Sequence, residues 1–385
     1  MTFAVKCART FTGAGIESDS YVVINSGKVE AITKQKPEGM PVHTFPNLSL
    51  LPGFIDIHIH GRGGSDVMDA STESLQTIAN ALPETGVVAW VGTTVSAPWQ
   101  DILDALSNVK RYLTEDQKHG ARLLGSFLEG PYFTEPNRGS HPTAFLKSAT
   151  IAELDELVSV ADGTLMRVAI APETEGAMDC IEWLKQRNIQ VSVAHTAADY
   201  AQVTEAFHKG ADCGVHLFNG MSGLHHREPG CAGAILYHDM LAELIADGVH
   251  VNPVMMQLAY RMKTYQGIAL ITDCMRAGGL EDGDYQLGAQ TVSVKDGQAR
   301  TKCGSLAGST CSMDQAVRNM IFSAGVPEWE AVQMASSVPA KYLGLDNQLG
   351  SIAVGKNASF TLVDSDLNIH HTMIDGDWAY QSVSK

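Results

Sequence analysis

The chain of 385 residues carries 44% apolar and 18% charged side chains, the balance of an ordinary globular protein with a large core. Its 27 basic and 43 acidic residues leave a formal charge of −16, which argues against nucleic acid or an anionic membrane as partner and obliges an anionic substrate to find a local basic pocket. Seven cysteines, odd in number, scattered and without a C-x-x-C pair, exclude a disulfide framework and a zinc ribbon and point to the reducing cytoplasm; no apolar run has the length of a signal-peptide core or a bilayer span.

Residues 1 to about 50 read as short strands and tight turns, as in Tyr21-Val22-Val23-Ile24, Asn25-Ser26-Gly27 and Lys28-Val29-Glu30-Ala31-Ile32. From Leu51-Pro52-Gly53 the pattern becomes apolar runs separated by amphipathic stretches, the mark of βα units around a parallel sheet. Strands are expected from near 54, 87, 122, 165, 189, 212, 242 and 267, and helices near 71–84, 99–118, 151–160, 177–187, 199–209, 253–263 and 312–323. Eight units argue for a TIM-like (β/α)8 barrel, although an open doubly wound sheet has the same periodicity. A hairpin is expected at 284–301, inserted in the last βα loop, and strand grammar returns at 350–363 and 367–380. The expected organisation is therefore a barrel over 52–345 and a small β-sandwich domain built from 1–51 and 346–385.

The strand Phe54-Ile55-Asp56-Ile57-His58-Ile59-His60 ends on two histidines one residue apart, which a strand turns to the same face as a pair of metal donors. Later runs end on or near Glu129, His195, His216 and Asp273. Strand ends meet at one rim of a βα barrel, so these six residues can converge although they are distant in sequence. Imidazoles with one or two carboxylates suit Zn²⁺, Fe²⁺ or Mn²⁺, and ligand softness does not choose among them. Such an ion acidifies water and polarises a carbonyl, which makes hydrolysis the expected chemistry; Asp273, ending the last strand, is the candidate to take the water's proton and deliver it to a leaving nitrogen. After His216, the loop Asn219–Gly230 combines glycines with Arg227, whose planar fork suits a phosphate, while His225 and His226 read as loop packing. A second glycine-bearing loop, Gly304-Ser305-Leu306-Ala307-Gly308-Ser309-Thr310, precedes a helix and can offer backbone N–H groups to a substrate.

Taken together, His58-x-His60, Leu128-Glu129-Gly130-Pro131, Ala194-His195, His216-Leu217-Phe218-Asn219, His226-Arg227-Glu228-Pro229-Gly230, Asp247-Gly248-x-His250 and Leu270-Ile271-Thr272-Asp273 resemble the N-acetylglucosamine-6-phosphate deacetylases of the amidohydrolase superfamily, from about residue 50 to 364. The resemblance implies a metal-dependent enzyme that removes acetyl from a hexosamine 6-phosphate. It implies Glu129, His195 and His216 as holders of the principal metal, Asp273 as general base and then acid, and His141, in Gly139-Ser140-His141-Pro142, as the group that polarises the acetyl carbonyl. Ser140, Asn219, Gly220, Arg227 and His250 would contact the sugar phosphate, with Leu306, Ala307, Gly308 and Ser309 closing over it. Zn²⁺ ranks first, with Fe²⁺, Mn²⁺ or Co²⁺ as alternatives; some members lack the first histidine pair and use one ion, and this chain, having His58 and His60, can hold two, with Asp273 touching the second. A homodimer is expected from the same likeness. Gly220 departs from the alanine of many glucosamine-type members, and with Glu129–Thr134 and Gly139–Pro142 it also resembles the N-acetylgalactosamine-6-phosphate deacetylases, leaving the sugar's C4 configuration open.

Two other readings meet the same residues. A cyclic-amide hydrolase of the dihydroorotase or hydantoinase kind commonly bridges two metals with a carboxylated lysine; here Glu129 takes that kind of place and no lysine ends the 165–171 run. A non-catalytic scaffold of the same fold is disfavoured by retention of every donor and of Asp273.

Overall fold

The architecture was established from a computed structural model that describes residues 1–115 and 119–382. Eight parallel strands follow one another in space as they do in sequence: β1 (Phe54–Ile59), β2 (Val87–Thr93), β3 (Arg122–Leu128), β4 (Leu165–Ile170), β5 (Gln190–Val193), β6 (Cys213–Gly214), β7 (Leu241–Ile245) and β8 (Ile268–Ile271). Their runs are apolar on both faces because helices cover the outside and side chains fill the inside. At the seam the carboxyl ends of β1 and β8 meet: Asp273 N–H donates to His58 O at 2.9 Å, and His60 N–H to Cys274 O at 2.9 Å. The sheet is thus nearly closed into a barrel, and the open alternative falls away.

Helices Thr72–Ala81, Trp99–Thr114, Ile151–Ala161, Ala177–Lys185, Tyr200–Lys209, Pro253–Lys263 and Met313–Phe322 lie where periodicity expects them. The expected 99–118 helix ends at Thr114, and its residues 116–118 lie outside those described. Three helices carry no legible stripe: Gly230–Tyr237, Glu328–Met334 and Ser337–Tyr342. The first is buried along all but its last residue, so no polar face marks its turn. The insertion after β8 is a three-stranded meander, Gly283–Leu287, Gln290–Lys295 and Gln298–Thr301, one strand more than the expected hairpin.

Both chain ends meet in a second sheet of eight strands. Phe360–Val363 pairs antiparallel with Val42–Pro52, which pairs in turn with Thr2–Thr12. This sheet buries its own core around Val22, Ile24, Leu50, Phe360 and Leu362. Gly53 N–H donates to Ser359 O at 3.0 Å where the chain passes from that sheet into β1. Among the described residues no helix is long and apolar enough to cross a membrane, and all seven cysteines are free.

A candidate metal centre at the carboxyl rim of the barrel

The six donors read from the strand ends converge. Glu129, at the end of β3, is their hub, with a different oxygen turned to each side. Its Oε1 lies 3.4 Å from His195 Nε2 and 3.2 Å from His216 Nε2, and those two nitrogens are 3.2 Å apart. Its Oε2 lies 3.4 Å from His58 Nε2 and 3.2 Å from His60 Nε2, while Asp273 Oδ1 stands 3.5 and 3.0 Å from the same two nitrogens. A tetrahedral ion with bonds of ~2.05 Å has ligand–ligand edges of about 3.3 Å. The donor–donor distances on both sides of Glu129 are near that edge, so the residues fit a divalent cation on either side. His58 Nε2 supports the fit: it is fully buried and has no hydrogen-bond partner in the protein.

The imidazoles are held so that Nε2 faces inward. His60 Nδ1 is 3.2 Å from Thr93 O, His195 Nδ1 is 2.9 Å from Asn137 O, and His216 Nδ1 is 3.0 Å from Asn219 O. A carbonyl only accepts, so each Nδ1 carries the proton and each Nε2 keeps the lone pair a cation needs. His141 is wired the other way. Its Nδ1 accepts from Ser96 N–H at 3.3 Å, which puts the proton on Nε2, 3.9 Å from Glu129 Oε2. His141 is thereby a hydrogen-bond donor toward the site, a poor ligand but a good partner for a carbonyl oxygen.

Backbone strain accompanies the geometry. His195, His216 and Asp273 have φ of 43°, 31° and 48°, a left-handed conformation that costs an L-residue roughly 1–3 kcal/mol and persists where the surrounding structure over-determines it. Directly after Glu129, Gly130 turns at φ 84°, and a Cβ there would stand 2.2 Å from Ser96 Oγ, the residue that orients His141.

Without a cation, the facing carboxylates draw a second proton onto the imidazoles at Nε2, the proton that a bound metal ion would displace. Burial opposes charge on His58 and His60, yet the facing carboxylates prevail and raise both, His60 to about 10. Burial alone would raise Asp273; the His58 charge and the His60 hydrogen bond overcome it and hold the carboxyl at about 2. The same balance keeps Glu129 well below the usual carboxylate range. Burial, reinforced by the His195 charge, drives His141 well below the ordinary imidazole value, so it is neutral at pH 7.

Beside the donors opens a cavity of about 240 Å³. Of the residues expected at a substrate, Ser140, His141, Asn219, Gly220, His250, Leu306 and Gly308 line it, with Ser305 of the same glycine-bearing loop and Ile245; Val95 and Leu287, which have no sequence signature, complete the wall. Arg227 is not among the lining residues: it is exposed on its loop, with Nη1 2.8 Å from His226 Nε2. Ala307 is buried beside the cavity, and Ser309 lies beneath Asp273, its N–H donating to Asp273 O at 2.7 Å and its hydroxyl to Thr272 O. Sequence reading also passes over Glu173, whose carboxylate accepts from Thr134, Thr196 and the N–H of Ala197, tying the loops on either side of His195. Its outward sign is slight: it is one of two acids, with Glu175, in the turn after Pro172.

Residues 49–379 match the amidohydrolase family. The chain is 44% identical over 382 residues, 98% of its length and 100% of the relative's, to an N-acetylgalactosamine-6-phosphate deacetylase of Escherichia coli O157:H7. It is 41% identical to an N-acetylglucosamine-6-phosphate deacetylase of Vibrio furnissii, covering 98% of this chain and 95% of that one. Among solved structures, a mutant N-acetyl-D-glucosamine-6-phosphate deacetylase from Mycobacterium smegmatis, in complex with N-acetyl-D-glucosamine-6-phosphate, superposes with a TM-score of 0.93 at 30% identity over 99% of both chains. A barrel with imidazole and carboxylate donors at its carboxyl rim and relatives matched from end to end leave one assignment: the chain belongs to the amidohydrolase family, among the N-acetylhexosamine-6-phosphate deacetylases.

Proposed function

We propose that the chain hydrolyses the N-acetyl group of N-acetyl-D-glucosamine 6-phosphate to glucosamine 6-phosphate and acetate. The observation that carries this reading is the opposite wiring of His141 and Asp273 across one small cavity: an N–H donor on one side, an anionic proton acceptor on the other. Glu129, His195 and His216 would hold one divalent ion and His58, His60, Glu129 and Asp273 a second, with Zn²⁺ suited to the nitrogen-rich set. Bound there, such an ion supplies acidified water and Lewis-acid polarisation. Asp273 takes the proton of the attacking water and returns it to the amide nitrogen, so that the amine leaves neutral. His141 Nε2–H donates to the acetyl oxygen as charge gathers on it. Asn219, Gly220 and His250 in the cavity wall, with Arg227 reaching over from its loop, are proposed to hold the sugar phosphate, and the 306–309 segment to cover it.

A second reading, the galactosamine epimer as substrate, is favoured by the relative named for it and by Gly220. Acetate release from the two 6-phosphates, assayed side by side, decides: the proposal expects the larger kcat/KM on the gluco epimer. A larger value on the galacto epimer overturns the epimer, and none on either overturns the function.

We further propose the cytoplasm as compartment, in keeping with seven free cysteines, including exposed Cys303. Recovery of the chain from an oxidising compartment of its cell contradicts this. Lastly we propose a barrel domain at 52–345, a second domain from the two ends, and a homodimer; limited proteolysis that cuts first inside the barrel, or light scattering of a monomer, contradicts them in turn.

A further inference from the structure

Six of the eight barrel strands send a donor or a ligand-orienting carbonyl to the metal centre: β1, β3, β5, β6 and β8 supply the donors, and β2 supplies the Thr93 carbonyl beneath His60. β4 and β7 send none. Each instead carries a charged residue midway along an apolar run, Arg167 on β4 and Glu243 on β7, and both side chains are fully buried inside the barrel. They pair with each other: Arg167 Nη2 donates to Glu243 Oε1. The other oxygen, Oε2, lies 3.0 Å from His58 Nδ1. Arg167 is anchored in turn by donating to Ile57 O at 2.8 Å and by lying over the Phe127 ring, 4.1 Å from its centroid.

A buried ion pair of this kind adds little to stability, since desolvating both charges offsets most of their attraction. What it does well is fix direction. Glu243 can only accept, so it holds the proton on His58 Nδ1 and aims Nε2 at Glu129 Oε2 and Asp273 Oδ1. Of the four imidazoles whose Nε2 faces the donors, His58 alone is oriented by a carboxylate rather than a backbone carbonyl. A carbonyl is held by its strand or loop; a carboxylate must itself be held, which is the part Arg167 plays.

We propose that Glu243, locked by Arg167, is the positioning residue of the second ion: it makes the His58/His60 pair a competent site and leaves the Glu129/His195/His216 site independent of it. This rests on the two-ion reading above. The test is metal content and affinity in the full-length chain, stripped and titrated with Zn²⁺. Wild type is expected to take up two ions. Glu243→Gln is expected to weaken the second by about 10–100-fold and the first hardly at all. The double variant Arg167→Met/Glu243→Leu removes both buried charges together, which guards the fold, and is expected to show the same selective loss. With Co²⁺ in place of Zn²⁺, the magnetic coupling between two bridged ions should vanish in both variants. Variants that bind both ions as wild type does, or lose both equally, overturn the inference alone. A wild type that takes up a single ion overturns the two-ion reading, and the inference with it.

Discussion

In the proposed reaction Asp273 carries the heaviest chemical load, and three features of its surroundings suit it to that part. Its left-handed backbone is fixed from both sides, by its own N–H on His58 O and by Ser309 N–H on its carbonyl. Its Oδ1 faces His60 at 3.0 Å, and the neighbouring imidazoles keep it anionic far below neutral pH, as a general base must be. Asp273→Asn preserves shape but accepts no proton; turnover should fall by about 10²–10⁴-fold with folding, and the ion held by Glu129, His195 and His216, retained. Rates near wild type would remove Asp273 from the reaction. The donors were legible because a strand's two-residue period puts His58 and His60 on one face and because barrel strand ends share a rim. Glu243 and Arg167 were not: a charge inside an apolar run shows that something buried pairs with it, but only the barrel's interior shows what.

At the scale of elements, helices were legible where one face is apolar and the other wet. Trp99–Thr114 buries Ile102, Leu106 and Val109 and exposes Asp101, Asp104 and Ser107 on its other side. Gly230–Tyr237 escaped because nearly every side is covered, and the third strand of the meander because Gln298–Thr301 is short and polar. The helix Pro253–Lys263 reverses the rule. It leaves Val254, Leu258 and Met262 exposed at four-residue intervals, an apolar stripe on the outer surface, and Tyr237 and Phe322 stand exposed on neighbouring helices. A homodimer would cover this stripe. Leu258→Glu, which places a carboxylate there, should weaken dimerisation by about 3 kcal/mol or more without lowering the melting temperature of the monomer. A dimer unaffected in light scattering would put the interface elsewhere.

For the whole molecule, the barrel explains how six residues spread from 58 to 273 become one site, and the closed seam between β1 and β8 explains why His58, His60 and Asp273 stand together. The terminal sheet was legible as strand grammar at both ends, but not its order, since pairing between residues near 50 and near 360 leaves no trace in local pattern. The net charge of −16 leaves a phosphorylated substrate dependent on a local pocket, and five imidazoles line this cavity. The central claim is that these donors hold the ion on which hydrolysis depends. Its most direct test is acetate release from N-acetylglucosamine 6-phosphate by the chelator-stripped chain before and after Zn²⁺ is restored. The stripped chain should be silent and regain activity in step with ions bound; undiminished release without any divalent ion would contradict the account.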